Sequence, residues 1–111
     1  MPTHRVFKMD KSLHQLRFAD GAANRKFYRC RRSYIKAARN PASRHSAETT
    51  RALDECLRAA EAHEDAIYGL WDGLLHAAPF PSREEEMRLT MARYEIVFSD
   101  LHAMQMLAFD L

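Results

Sequence analysis

The densest group of chemically useful side chains lies between Asn24 and Asn40, in the segment NRKFYRCRRSYIKAARN. This segment holds seven Lys and Arg residues, two tyrosines and a phenylalanine, and it contains no acid. Guanidinium groups bind phosphate and carboxylate oxygens through paired hydrogen bonds, and thirteen of the seventeen cations in the chain are arginine. The segment therefore predicts a surface that binds an anionic partner.

On an α-helix, five of these cations fall within an arc of about 80°. They form one stripe, which consists of Arg25, Arg29, Arg32, Lys36 and Arg39. At about 1.5 Å per residue the stripe is about 21 Å long, enough to contact several phosphates of one nucleic-acid strand. Tyr28 flanks it, and an aromatic ring beside a basic ridge can stack on an unpaired base. These six residues are the predicted nucleic-acid-binding site, with single-stranded or irregular RNA or DNA favoured over a duplex.

Two other interpretations of the stripe stay open. An acidic protein surface is a second kind of partner for the same cations, which would make the chain an adaptor or an inhibitor. The third interpretation is that the stripe is solvated, or that it pairs inside the chain with a ridge of acids on the following helix. That acidic ridge consists of Asp54, Glu61, Asp65 and Asp72. The charges do divide along the chain, because residues 1–47 carry about +10 and residues 48–111 about −8.

Patterns that would support catalysis or metal binding are weak. The six histidines are scattered, and none belongs to the paired Glu-x-x-His units that helical di-metal sites use. No phosphate-binding glycine loop, nucleophile elbow or CxxC motif is present. Cys30 and Cys56 are too few for a disulfide framework, which predicts free thiols in a reducing compartment. We expect no catalytic residue, no metal and no cofactor.

One short segment resembles a known catalytic motif. The residues RNPASRH, from Arg39 to His45, have the spacing of the motif in the helical ribonucleases called HEPN, with an Arg, a polar residue and a later His. The resemblance implies ribonuclease activity as a further alternative. Pro41 departs from the helical setting that the motif prefers, and Arg58 to His63 meets a similar spacing.

The elements that must position these side chains are helical. Apolar periodicity predicts an all-α fold, a small bundle of four helices at residues 4–19, 24–40, 46–77 and from 82 onward. Asp20-Gly21 is expected to end the first helix, Asn24 to cap the second, and Pro41 to stop it. Because the last connection, around Pro79-Phe80-Pro81, is short, the third and fourth helices are predicted to form a long antiparallel hairpin.

Two features of the third predicted helix are unusual. Glu64 lies in the middle of an otherwise apolar seam, where a carboxylate is costly unless it is paired, and a buried arginine is the expected partner. Gly69 and Gly73 each cost about 1 kcal/mol in a helix, and close packing of a neighbouring helix would explain them.

The fourth predicted helix carries an apolar stripe on the side opposite its main apolar face. A helix that is apolar on two sides is central in its bundle or shared with a partner. We therefore predict a protein partner, or a homo-oligomer, at Leu89, Ile96 and Leu107.

Length and composition predict the domain organisation and the location of the protein. The 111 residues predict a single helical domain, with a basic helical pair at 1–45 and an acidic hairpin at 46–111. We expect no export signal and no membrane span, hence a cytoplasmic protein. The favoured function is non-enzymatic nucleic-acid binding, as a small subunit of a larger ribonucleoprotein or DNA-processing complex.

Overall fold

A computed structural model describes residues 12–77 and 82–110 of the chain. Within these residues there are three helices and no strand. They are α1 (Leu13–Arg39), α2 (Ala47–Leu75) and α3 (Ser82–Asp110). The prediction of an all-α bundle is confirmed, whereas the predicted number of four helices is wrong. None of the three described helices is apolar over a length that could cross a membrane.

The helix count differs because α1 runs without interruption through Asp20-Gly21. The Asp20 carboxylate is buried against the other two helices, and Gly21 does not adopt the positive φ of a helix-ending glycine. Tertiary contacts therefore outweigh the local stop signal, although glycine costs about 1 kcal/mol inside a helix. Asn24 consequently lies inside α1 and is not a cap. Residues 4–11 of the first predicted helix lie outside the described residues.

Side-chain caps fix where α1 and α2 begin. The Ser12 Oγ accepts a hydrogen bond from the Gln15 backbone N–H at 3.1 Å, and the Gln15 side chain accepts one from the Ser12 N–H at 3.0 Å. Ser46 caps α2 in the same way, because its Oγ accepts from the Thr49 N–H at 3.2 Å. Each cap satisfies backbone donors that the helix itself leaves free. α1 ends at Arg39, directly before Asn40 and Pro41, as predicted.

Contacts between helices show that α2 is antiparallel to both of its neighbours. Near the start of α1, Leu16 packs beside Gly73, close to the end of α2. Near the start of α3, the Met87 carbonyl accepts a hydrogen bond from Trp71 Nε1 at 3.2 Å. The predicted antiparallel hairpin is thus present as α2 and α3, and α1 runs parallel to α3.

Gly73 allows α1 to approach α2 closely. A Cβ built on this glycine would lie 2.5 Å from Cδ1 of Leu16 and 3.3 Å from Cδ2 of Leu13. Gly69 is less constrained, since the nearest atom to its Cβ position is Cδ2 of Leu16 at 3.7 Å. The proposed reason for the glycines, close helix packing, therefore holds for Gly73.

All three helices contribute to the apolar core. The largest fully buried apolar side chains are those of Phe27, Ile67, Leu70, Leu74, Val97 and Met104. Burying one such side chain is worth about 1.5–3 kcal/mol relative to leaving it in water. Cys56 is also fully buried, and burial raises the pKa of its thiol to about 12, so this cysteine is a core residue with an unreactive thiol.

The prediction that Glu64 pairs with a buried arginine is wrong. Its carboxylate is only partly buried and accepts a hydrogen bond from the Tyr94 hydroxyl at 2.7 Å, and no arginine of residues 12–77 and 82–110 pairs with it. The bond joins α2 to α3 halfway along the hairpin. A phenol can satisfy the carboxylate because this position is open to water on one side.

Candidate nucleic-acid interface

The five predicted cations form an exposed surface on α1, which we call the basic ridge. Its members are Arg25, Arg29, Arg32, Lys36 and Arg39, and all five are exposed. They project from one continuous helix whose opposite side is held in the core by Phe27, Tyr34 and Ala38. The ridge is therefore a rigid row of cations about 21 Å long.

In the described part of the chain, no member of the basic ridge takes part in an ion pair. The cations that do pair are Arg17, with Glu86; Arg88, with Glu85; and Arg93, with Asp20. The four acids proposed as internal partners are also exposed, on the side of α2 that faces away from the core. Like charges spaced three and four residues apart repel each other, so an anionic ligand would relieve this repulsion.

A hollow of about 530 Å³ lies beside the ridge, near the end of α1. It is lined by Arg31, Arg32, Ile35, Lys36 and Arg39. Arg31 is half-buried, and its Nε has no hydrogen-bond partner among the described residues. Sequence reasoning omitted Arg31 because it lies about 100° from the ridge on the helix, on the side facing α3. Its position in a dense Arg cluster was the available signal.

Tyr28 lies at the border between the ridge and α3. Its hydroxyl donates a hydrogen bond to Oδ2 of Asp100 at 2.8 Å, and its ring packs edge-on against Phe27, with centroids 5.1 Å apart. Burial first, and then the hydrogen bond to Asp100, raises the pKa of Tyr28 to about 12. Tyr28 thus joins α1 to α3, and its predicted stacking on a base stays a prediction.

Behind the ridge, a buried polar cluster centred on Asp20 connects the three helices. Arg93 donates to Oδ2 of Asp20 at 2.8 Å, and Nε2 of His63 lies 3.3 Å from Oδ1. The amide of Asn24 lies 3.4 Å from the same Nε2. Burial raises the pKa of Asp20, but His63 and Arg93 lower it further, so the pKa lies below its ordinary value. The cluster holds an ionised carboxylate inside the bundle.

The two Arg–His pairs with HEPN-like spacing differ in their exposure. His63 is 0% exposed, so a substrate cannot reach it, and Arg58 is exposed on the other side of α2. The pair with HEPN-like spacing, Arg39 and His45, is exposed, and His45 lines a hollow of about 330 Å³ together with Arg44, Gln105 and Phe109. Among residues 12–77 and 82–110, no three His, Cys, Asp or Glu side chains come together as metal ligands.

The three residues of the predicted partner stripe on α3 differ in exposure. Leu89 is 44% exposed and Ile96 is 56% exposed. Leu107 is instead half-buried and packs against the core. Two of the three residues are therefore accessible to a partner, on the outer side of α3 next to α1.

No family model, no curated protein and no solved structure matches the chain.

Proposed function

We propose that this protein is a non-enzymatic, cytoplasmic nucleic-acid-binding protein that holds the phosphate backbone on the basic ridge of α1. The observation that carries the proposal is that five exposed cations on one helical face have no counter-ion in the described residues. A cation that is already desolvated or paired would gain less binding free energy from a phosphate. A free cation that binds a phosphate releases the counter-ions that the phosphate holds.

The hollow beside the ridge supports the same proposal. Arg31, Arg32, Lys36 and Arg39 converge on it from one side, and Ile35 supplies an apolar wall. Such a site holds a phosphate between guanidinium groups and leaves the sugar or base against an apolar surface. This arrangement favours single-stranded or irregular RNA or DNA. We further propose that the chain acts as a subunit of a larger ribonucleoprotein or DNA-processing complex.

The test is binding of fluorescent single-stranded and double-stranded RNA and DNA, measured by anisotropy across a salt series from about 50 to about 300 mM. We expect binding to the wild type that weakens steeply with salt. The double variant Arg29→Glu with Lys36→Glu should bind at least about tenfold more weakly, and Arg32→Ala should flatten the salt slope by about one unit.

The matched control is Arg51→Glu with Arg58→Glu, which makes the same change of charge at two exposed positions of α2. This variant should bind nearly as well as the wild type, because its cations lie outside the ridge. Equal loss in both double variants would show that only net charge matters. If no nucleic acid binds at low salt, the alternative that the ridge binds an acidic protein surface is favoured. Degradation of the RNA would favour the HEPN-like alternative.

A further inference from the structure

A second surface, away from the basic ridge, carries exposed apolar side chains on both α2 and α3. Leu57 is 38% exposed, Tyr68 60% and Leu75 54% on α2, and Phe98 is 60% exposed on α3. Large apolar side chains that share one surface indicate a binding site more often than single ones do. Helical spacing places the three α2 residues on one side of that helix, within an arc of about 20°.

Two of them, Leu57 and Phe98, border a groove between the two helices, which we call the hairpin groove. It holds a hollow of about 180 Å³ lined by Leu57, Ala60, Val97, Phe98 and Leu101 together with Glu61, Glu64 and Tyr94. The row of exposed apolar side chains on α2 continues past this hollow, from Leu57 to Leu75, over about 27 Å or five helical turns. A helix of about 18 residues would match this length.

Polar groups at two positions between α2 and α3 are already satisfied. The Tyr94 hydroxyl donates to Glu64 at 2.7 Å, and Trp71 Nε1 donates to the Met87 carbonyl at 3.2 Å. The Tyr94 ring also packs on Phe98, with centroids 6.3 Å apart. An apolar occupant would therefore leave no new unsatisfied donor at these two positions.

The rim of the hairpin groove is acidic on both sides. Glu61 lies on the α2 side, and Glu95 lies on the α3 side next to Tyr94; both are exposed. Of the nearby cations, Arg58 points away from the groove by helical spacing, and Arg88 is bonded to Glu85. The groove thus combines an apolar floor with negative edges, which complements an apolar helix face with cationic flanks.

We propose that the hairpin groove binds an amphipathic helix of another protein, one whose apolar residues at i, i+3, i+4 and i+7 are flanked by Lys or Arg. The apolar residues of that helix fill the space between Leu57 and Phe98, and its cations pair with Glu61 and Glu95. The site is independent of the basic ridge. It is also separate from the predicted partner stripe of α3, because Ile96 faces the α1 side, about 160° around the helix from Phe98.

The probe is a synthetic helix of about 18 residues with leucine on one face and lysine on the other. We expect the labelled peptide to bind, as read by anisotropy, and its counterpart with glutamate in place of lysine to bind at least about tenfold more weakly. Phe98→Asp adds a negative charge, so pure charge attraction predicts tighter binding of the lysine peptide. Apolar docking predicts at least about tenfold weaker binding.

The matched control is Ser99→Asp, which adds the same charge at an exposed position of α3 outside the groove lining and should keep the wild-type affinity. A second variant, Glu61→Lys with Glu95→Lys, should lose the lysine peptide and gain the glutamate peptide. All three variant proteins, including Phe98→Asp, are checked for helical circular dichroism.

Three results would overturn the proposal. The first is an unchanged or tighter affinity of Phe98→Asp for the lysine peptide, and the second is an equal loss in Ser99→Asp. The third is a wild-type dimer in sedimentation that Phe98→Asp converts to a monomer, since a second copy of the chain would then occupy the groove.

Discussion

Arg93 on α3 donates a hydrogen bond to the Asp20 carboxylate on α1 at 2.8 Å, and Asp20 itself is almost fully buried. The other carboxylate oxygen of Asp20 lies 3.3 Å from His63 on α2. One side chain thus touches both neighbouring helices. Because α1 and α3 also meet at Arg17 and Glu86 and at Tyr28 and Asp100, polar contacts recur along this interface.

Asp20→Asn is expected to lower the free energy of unfolding by about 1–3 kcal/mol at pH 7, because it weakens charged hydrogen bonds in a buried site. The pKa of Asp20 is lowered in the folded state. Its stabilising contribution is therefore complete above the unfolded value of about 3.9 and is lost as the pH falls through the lower folded pKa. Urea unfolding of both proteins from pH 7 to about pH 2.5 measures the difference.

The control for this prediction is Asp65→Asn, an exposed acid of α2, which should change stability little at any pH. The pKa of Glu86 is also lowered, by Arg17, but both proteins share that effect and it cancels in the difference. If the gap between wild type and Asp20→Asn stays constant down to the lowest pH, the role of Asp20 is in packing and its charge is unimportant.

Gly69→Ala should stabilise the protein, whereas Gly73→Ala should be neutral or destabilising. Alanine is favoured over glycine in a helix by about 1 kcal/mol, and the Cβ at position 69 has room, so Gly69→Ala should be stabilising by up to that amount. At position 73 the Cβ would meet Leu16 at 2.5 Å, and overpacking of about 1–3 kcal/mol should cancel or exceed the gain. Thermal and urea unfolding provide the comparison.

The glycine prediction has an internal control in Leu16→Ala. In that background the obstacle to a Cβ at position 73 is largely removed, so Gly73→Ala should become neutral or stabilising. Equal stabilisation by both glycine substitutions in the wild-type background would show that α1 does not rely on the close approach.

Periodicity and local stop signals were sufficient to predict the all-α class, the start of α2 near Ser46, the end of α1 before Pro41 and the exposed basic ridge. These features depend on residues three and four positions apart, which a sequence displays directly. The continuity of α1 through Asp20-Gly21 depends on Arg93 and His63, which are far away in sequence. Local signals cannot show such contacts.

The partner of Glu64 and the role of Arg31 were missed for the same reason. Helical spacing shows that Glu64 lies in an apolar seam, but the relative rotation of α2 and α3 decides that Tyr94 faces it. Likewise, Arg31 is half-buried only because of how α1 packs in the bundle. Rotation and separation of helices depend on packing of the whole core, which periodicity does not encode.

Substitutions in the predicted partner stripe of α3 should affect stability differently at its exposed and its half-buried positions. Ile96→Asp and Leu89→Asp should change monomer stability by no more than about 0.5 kcal/mol, since both side chains already face water. Leu107→Asp should cost about 1–3 kcal/mol, because a carboxylate would replace an apolar contact with the core. Urea unfolding measures these changes.

Sedimentation of the same variants shows whether the stripe is an oligomer interface. If the wild type associates through it, Ile96→Asp should shift the protein to monomer, while Ser99→Asp, at an exposed position off the stripe, should not. A large loss of monomer stability in Ile96→Asp would contradict the exposed placement of this residue.

The hydrogen bond between Tyr94 and Glu64 should be visible in both stability and tyrosine titration. The bond to Glu64 first, then burial, raises the pKa of Tyr94 to about 12. Its stabilising effect should therefore be complete below the unfolded value of about 10 and lost as the pH rises through the folded pKa. Glu64→Gln keeps an acceptor but removes the charge, so the pKa of Tyr94 should fall towards about 10 in ultraviolet titration.

Glu64→Ala removes the acceptor as well, and its better helix propensity offsets only part of the loss. We expect melting temperatures in the order wild type, Gln, Ala, and a coupling energy of about 0.5–1.5 kcal/mol in a double-mutant cycle with Tyr94→Phe. If Glu64→Ala is as costly in the Tyr94→Phe background as in the wild type, the carboxylate has another partner and the bond does not stabilise the hairpin.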